Sequence, residues 1–288
     1  MRIVLTGATG LTGAVLLTKL RDFAEVWCLG REDQITGPSV HNVEADLSEI
    51  SWQENLPKSA DVVIYLAQSR QFRDFPNGAM DMQAVNTRAP LALANWAVGA
   101  GVKKIIYAST GGVYAPSATS ISENGLILAP TEMGFYPASK FSTEMLLLPF
   151  RDIFDLIILR PFFIYGQAQD MTMLIPRLIA NVRDGVPILL DGENGMRINP
   201  IHVDDVCDFI LSTLNVNGSD IVNVAGKEVL SLREIGEVIG GIVEKDPVFE
   251  TTDSSLEKSL VANTSRMDQY MEMSPLRFDQ QLCKILNG

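Results

Sequence analysis

The chain has 288 residues, 47% of them hydrophobic and 20% charged, with 35 acidic against 23 basic side chains and a formal charge of −12. This length and composition fit one or two folded domains with a core large enough to need no disulfide, and they exclude a largely disordered chain. The acidic balance excludes nucleic acid and anionic membrane surfaces as partners, and three scattered cysteines with two histidines leave no ligand set for a metal.

The first strand-like run, residues 3–5, begins so close to Met1 that no room is left for a signal peptide. No apolar run reaches the roughly 18 residues of a membrane span, so the expected compartment is the reducing cytoplasm. Further unbroken apolar runs at 26–29, 62–66, 105–108 and 156–159 read as strands covered on both faces. Helix-length segments at 11–22, 82–100 and 137–151 alternate with them, and Gly99 and Gly101 close the second. That alternation predicts an α/β fold with a doubly wound parallel sheet and right-handed crossovers. Beyond Gly166 the pattern predicts a helix at 173–182, a strand at 187–190 and a helix at 204–214. A strand at 222–225 and a helix at 231–243 follow, with Ser231 and Glu234 in capping-box spacing.

Thr6-Gly7-Ala8-Thr9-Gly10-Leu11-Thr12-Gly13 follows the first strand and opens a helix. One glycine permits a tight turn, another lets the backbone approach a pyrophosphate, and Gly13 allows close helix–strand packing. The helix N-terminus supplies N–H donors to phosphates. About twenty residues on, an NAD enzyme places an acid on the ribose 2′-hydroxyl. This chain has Leu29-Gly30-Arg31-Glu32 instead. Arg31 can contact a 2′-phosphate, so NADP is the preferred cofactor. NAD stays open if Arg31 turns to adenine or solvent and Glu32 turns inward.

Gly134-Phe135-Tyr136-Pro137-Ala138-Ser139-Lys140 places a tyrosine and a lysine one helical turn apart, with Pro137 fitting the first helical position. A nearby ammonium lowers a phenol's pKa toward working pH. Such a tyrosine can protonate a carbonyl oxygen or deprotonate a hydroxyl. Upstream, Ser109-Thr110-Gly111-Gly112 ends a strand where open α/β sheets bind ligands.

The ordered set of motifs resembles the extended branch of the short-chain dehydrogenase/reductase superfamily, the NAD(P)-dependent sugar-nucleotide epimerases, dehydratases and reductases. The resemblance covers about residues 1–245. It implies a Rossmann-like cofactor domain at 1–165 and a smaller substrate lobe at 166–288, the chain crossing back to the main sheet around 198–225. It further implies that Thr110, or alternatively Ser109, bonds the reacting oxygen and that Lys140 tunes Tyr136 and holds the nicotinamide ribose. Asn86 would brace the central helix. Asp46 and Leu47, Leu66-Ala67-Gln68 (where the family reads His-Leu-Ala-Ala), and Pro161 and Phe163 would line the cofactor. Gly111, Gly112 and Arg197 would face a small-molecule substrate. Two departures matter. Gly111 and Gly112 replace the acidic pair of the dehydratases, which argues against dehydration, and Phe163 replaces an asparagine that contacts a substrate diphosphate. The expected reaction is interconversion of a hydroxyl and a keto group on an activated sugar, with epimerisation as the alternative and a non-enzymatic NADP(H)-binding regulator as a third. A homodimer packed through the 82–100 and 137–151 helices is also implied. His202, by contrast, reads as a structural residue.

Overall fold

The computed structural model describes residues 1–31, 37–252, 259–271 and 276–287; Glu32 lies outside them. The apolar runs become strands β1 (Arg2–Thr6), β2 (Glu25–Gly30), β3 (Val40–Glu44), β4 (Val62–Tyr65), β5 (Lys104–Ala108) and β6 (Asp155–Pro161). Between them lie helices α1 (Leu11–Leu20), α2 (Ala79–Gln83), α3 (Ala89–Ala100) and α4 (Phe135–Leu147). With the strand Asp220–Val224 at its outer edge, the sheet runs Asp220–Val224, β6, β5, β4, β1, β2, β3. Every pairing from β3 to β6 is parallel.

Side-chain alternation explains why the central strands are apolar throughout. Val4, Val63, Tyr65, Ile105, Tyr107, Leu156 and Ile158 pack with Ala89, Leu93, Ala94 and Leu147 of α3 and α4. Their neighbours Ile3, Leu5, Ile64, Ile106 and Ile157 point to the opposite face and are equally buried. Both faces are covered, as doubly wound sheets require.

Three local differences from the sequence reading have physical causes. The central helix is not one helix over 82–100: it begins at Ala79 and widens into a π turn over Ala84–Arg88 before α3. Gly101, at φ +74, ends it, while Gly99 sits inside it. Pro137 is not the first residue of α4. The helix starts after Gly134, whose carbonyl accepts the Ala138 N–H at 3.0 Å. Pro137 is thus the third helical residue, still among the positions whose N–H has no helical partner.

The chain divides into two compact units: Met1–Val113, Leu128–Arg160 and Ile210–Val222 form the first, and Tyr114–Ile127, Pro161–Phe209 and Asn223–Gly288 the second. In the second, helices Leu174–Asp184 and Leu232–Val243 and strand Ile188–Asp191 enclose a core of Ile175, Leu178, Ile188, Leu190, Ile235 and Ile239. The capping box forms: Glu234 N–H donates to Ser231 Oγ at 3.1 Å, and Ser231 N–H donates to Glu234 Oε2 at 2.7 Å. At Gly236 a Cβ would come within 3.0 Å of the Phe249 ring, which would have to shift to admit it. Among the described residues no helix is long and apolar enough to cross a membrane.

Candidate active site

Gly7 and Gly10 lie between β1 and α1 and Gly13 in the first turn of α1, each for a different reason. Gly7 has φ +74, and a Cβ on it would lie 2.9 Å from Ala67 N. At Gly13 a Cβ would fall 2.0 Å from Gly7 O, so the helix lies against the turn at a distance only glycine allows. Gly10 is the exposed N-cap of α1, carries no side-chain cap, and its N–H donates to Gly7 O at 3.0 Å. The first turn of α1 holds no acidic residue. Thr9 is exposed and Leu11 half-buried, so the cradle presents backbone N–H groups, the donor set a dinucleotide pyrophosphate requires.

At the tip of β2, a Cβ on Gly30 would meet nothing within 4 Å. Arg31 Nη1 lies 3.9 Å from Asp46 Oδ2, both side chains being well exposed. Asp46 is itself fixed: Ser48 donates to Oδ1 through N–H at 2.9 Å and Oγ at 2.6 Å. These bonds, and then Arg31, hold its carboxyl below the usual range despite partial burial. Leu47 turns into the core.

Tyr136, Thr110, Gln68 and Lys140 meet at the C-terminal ends of β4 and β5. Tyr136 donates its hydroxyl proton to Gln68 Oε1 at 3.0 Å, and the Thr110 hydroxyl lies near enough to favour its phenolate. Phe72 packs its ring 5.4 Å from that of Tyr136. Lys140, only 1% exposed, donates to Ala108 O at 2.9 Å and Ala67 O at 3.4 Å and lies 5.3 Å from the Tyr107 ring. Its partners are carbonyl dipoles, and burial pushes its pKa down to about 7. The expected lowering of the tyrosine is therefore reversed in the chain alone: burial pushes Tyr136 up to about 12, and only the Thr110 hydrogen bond works the other way. A lysine stripped of solvent holds its proton too weakly to be a strong fixed cation.

Ser109 is not interchangeable with Thr110. Its hydroxyl donates to Glu144, which forms a buried ion pair with Arg160. Thr110 instead accepts the Gly112 N–H at 3.0 Å, tying Gly112 to the site through backbone, and Gly111 is buried beside it.

Asn86 sits in the π turn with no exposed surface. Its side chain accepts the Ser69 N–H at 2.9 Å and donates to Ser139 Oγ at 3.0 Å. Ser139 Oγ donates to Tyr136 O at 2.7 Å. The wide turn also leaves carbonyls for side-chain hydroxyls: Tyr65 donates to Val85 O at 2.5 Å and Thr143 to Asn86 O at 2.8 Å. Such turns are common at functional sites. Asn86 touches no candidate reacting atom; through Ser139 it ties the π turn to the first turn of α4.

Pro161, Phe163 and Arg197 belong to the second unit. Phe163 has φ +44, a conformation that asparagine tolerates and phenylalanine does not readily adopt. Arg197 is exposed and lies near enough to Glu234 to lower its pKa further. His202 is structural: its Nδ1 accepts the Asp204 N–H at 3.2 Å at the start of helix Val203–Thr213, and its ring stands edge-on to Tyr165. Two contacts at the site carried no signal in residue pattern, the Glu144–Arg160 pair and the hydrogen bond from Tyr136 to Gln68. Each joins positions far apart in the chain.

The sequence profile of the NAD dependent epimerase/dehydratase family matches residues 3–225. The chain belongs to that family. It is accordingly an enzyme of the extended short-chain dehydrogenase/reductase type, with a nicotinamide dinucleotide as cofactor. The chain is 28% identical to a UDP-glucuronate 4-epimerase of Thermodesulfobacterium geofontis over 148 residues, 50% of this chain and 45% of that one. A GDP-6-deoxy-D-talose 4-dehydrogenase of Aggregatibacter actinomycetemcomitans is 27% identical over 214 residues, 73% of this chain and 69% of that one. The fold is that of the UDP-glucuronic acid 4-epimerase of Bacillus cereus solved with UDP-glucuronic acid and NAD. That match has a TM-score of 0.83 at 20% identity and covers 100% of this chain and 99% of that one.

Proposed function

We propose that the protein interconverts a hydroxyl and a keto group on a nucleotide-linked sugar, with Tyr136 moving the proton. The observation that carries this reading is the junction of Tyr136, Thr110 and Lys140 beside the Gly7–Gly10–Gly13 cradle within one unit. When bound, the nicotinamide takes or gives the hydride. Gly7, Gly10, Leu11 and Gly13 would hold the pyrophosphate, with Ala67 and Leu66 walling the turn. Thr110 orients the sugar oxygen, Tyr136 gives or takes its proton, and Lys140 holds the ribose from below. The relatives' names place their chemistry at C4 of a hexose, and we extend that position to this chain's substrate. Gly111 and Gly112 offer no acid or base for removing water, so dehydration is not part of the reaction.

Open space at Gly30 and the exposed Arg31 favour NADP(H) over NAD. The second reading is a 4-epimerase, in which Tyr136 acts first as base and then as acid with NAD retained; the names of several relatives favour it. The test is incubation of the purified protein with UDP-glucose and UDP-glucuronate, reading sugar products by NMR and NAD(P)H by absorbance. An epimer without net cofactor change supports the epimerase, and stoichiometric cofactor turnover supports the dehydrogenase or reductase. Tyr136→Phe should reduce either rate by about 10²–10⁴-fold. Unchanged turnover in that variant would overturn the assignment. Exposed Val98 on α3 and Met145 and Leu146 on α4 form the surface through which we propose the homodimer, testable by sedimentation.

A further inference from the structure

Gln68 is not accounted for by the cradle or by the tyrosine–lysine pair. It stands exposed past the end of β4, where the family pattern has alanine, and its Oε1 accepts the Tyr136 proton at 3.0 Å. The surrounding bonds have a derivable direction. Gly112 N–H occupies a lone pair of Thr110 Oγ1, leaving the threonine proton to turn elsewhere. Tyr136 has one proton, and it goes to Gln68, so Thr110, which lies close enough to favour the phenolate, can act on Tyr136 only as a donor.

We propose that Gln68 is a positioning residue that holds Tyr136 as the protonated phenol, aimed at its amide oxygen, until an oxygen of the substrate takes that place. The inference rests on the reading of Tyr136 as the proton carrier. Alanine at this position has no acceptor to offer, and a carboxylate would add charge; an amide holds the proton without either effect. Among the described residues Tyr107 on β5 couples to Tyr136, Lys140 stands one turn along its own helix, and Arg73 lies 5.1 Å over the ring of Phe72, which packs on Tyr136. An acceptor bonded to the neutral phenol disfavours its ionisation. This acts in the same direction as the burial that pushes Tyr136 to about 12.

The test uses ligand-free protein carrying [ζ-¹³C]tyrosine, with the six tyrosine resonances sorted by loss of one in Tyr136→Phe. In Gln68→Ala the Tyr136 resonance should move and its ionisation should fall to lower pH. In the isosteric Gln68→Glu the phenol should stay hydrogen-bonded and ionise no earlier than in wild type. A side chain serving only as packing would shift both variants the same way. With whichever sugar nucleotide proves active, Gln68→Ala should lower kcat about tenfold with KM within about twofold. Ionisation in Gln68→Ala at or above the wild-type pH would overturn the proposal. Because the NMR readout needs no substrate, its failure is distinct from a failure to find turnover.

Discussion

Arg160 Nη2 and Glu144 Oε2 are 2.6 Å apart, with side chains 5% and 1% exposed, directly behind the strand end that carries Ser109 and Thr110. Arg160 Nε also lies 3.1 Å from Oε1, so the contact is made through two nitrogens, and Ser109 fills a further site on the carboxylate. A buried pair of this kind adds little beyond a well-packed apolar pair, but removing one member strands the other. Glu144→Ala should therefore cost about 3–5 kcal/mol, read as a lower urea midpoint with unchanged slope. The double variant Glu144→Leu, Arg160→Met should recover much of that loss. A single-variant cost below about 1 kcal/mol would show that the pair is hydrated.

Lys140 predicts a pH dependence of stability. Its pKa falls from 10.5 in an ordinary setting to about 7 in the fold. Between those values the unfolded chain binds a proton that the folded chain does not, so this residue makes unfolding free energy rise as pH increases from 7 to 10.5. Lys140→Met should flatten that rise and abolish turnover. Denaturant midpoints across the window, with the two proteins compared at each pH, measure it; parallel curves would contradict the assignment.

The glycine cradle predicts a contrast between neighbours. A methyl group at Gly13 would sit 2.0 Å from Gly7 O, whereas one at Gly10 would sit 3.3 Å from the same oxygen. Gly13→Ala should lower stability by about 1–3 kcal/mol, as overpacking does, and lose cofactor binding with it. Gly10→Ala should melt near wild type and weaken binding alone. Thermal melts with and without NAD(P)H separate the two effects.

Arg31 predicts cofactor selectivity. If its guanidinium meets a 2′-phosphate, Arg31→Ala should weaken NADPH binding about tenfold or more, the value of a charge-assisted hydrogen bond. NADH should be nearly unaffected. Gly30→Asp should invert the preference by repelling the phosphate and accepting from the ribose. Fluorescence titrations with both dinucleotides decide it, and equal losses for NADH and NADPH would remove Arg31 from the phosphate.

The central strands were legible because burial on both faces makes 62–66 and 105–108 unbroken apolar runs. Val40–Glu44 was not among them: at the sheet edge only Val43 is buried, and His41, Asn42 and Glu44 face out. The two-residue strands Arg197–Ile198 and Leu230–Ser231 are too short to carry any period. In the site, Gly7, Gly13, Tyr136 and Lys140 showed themselves through spacing, since each needs its neighbours in sequence. Ser109 and Thr110 look alike in sequence and differ only in what lies behind them, Glu144 for one and Gly112 for the other. The direction of the tyrosine's pKa was also hidden, because it depends on how much water the Tyr136 phenol itself loses on folding.

The π turn at Ala84–Arg88 carries a residue more than an α-helical turn and takes it up locally, so α3 continues in helical phase with Leu93, Ala94 and Ala97 against the sheet. Deleting Thr87 would let the turn close to α geometry and leave that face of α3 in register. It would withdraw the widened ring that frees the Val85 and Asn86 carbonyls for Tyr65 and Thr143 and sets Asn86 between Ser69 and Ser139. One deletion would thus disturb the wall of the site while sparing the helix that covers the sheet.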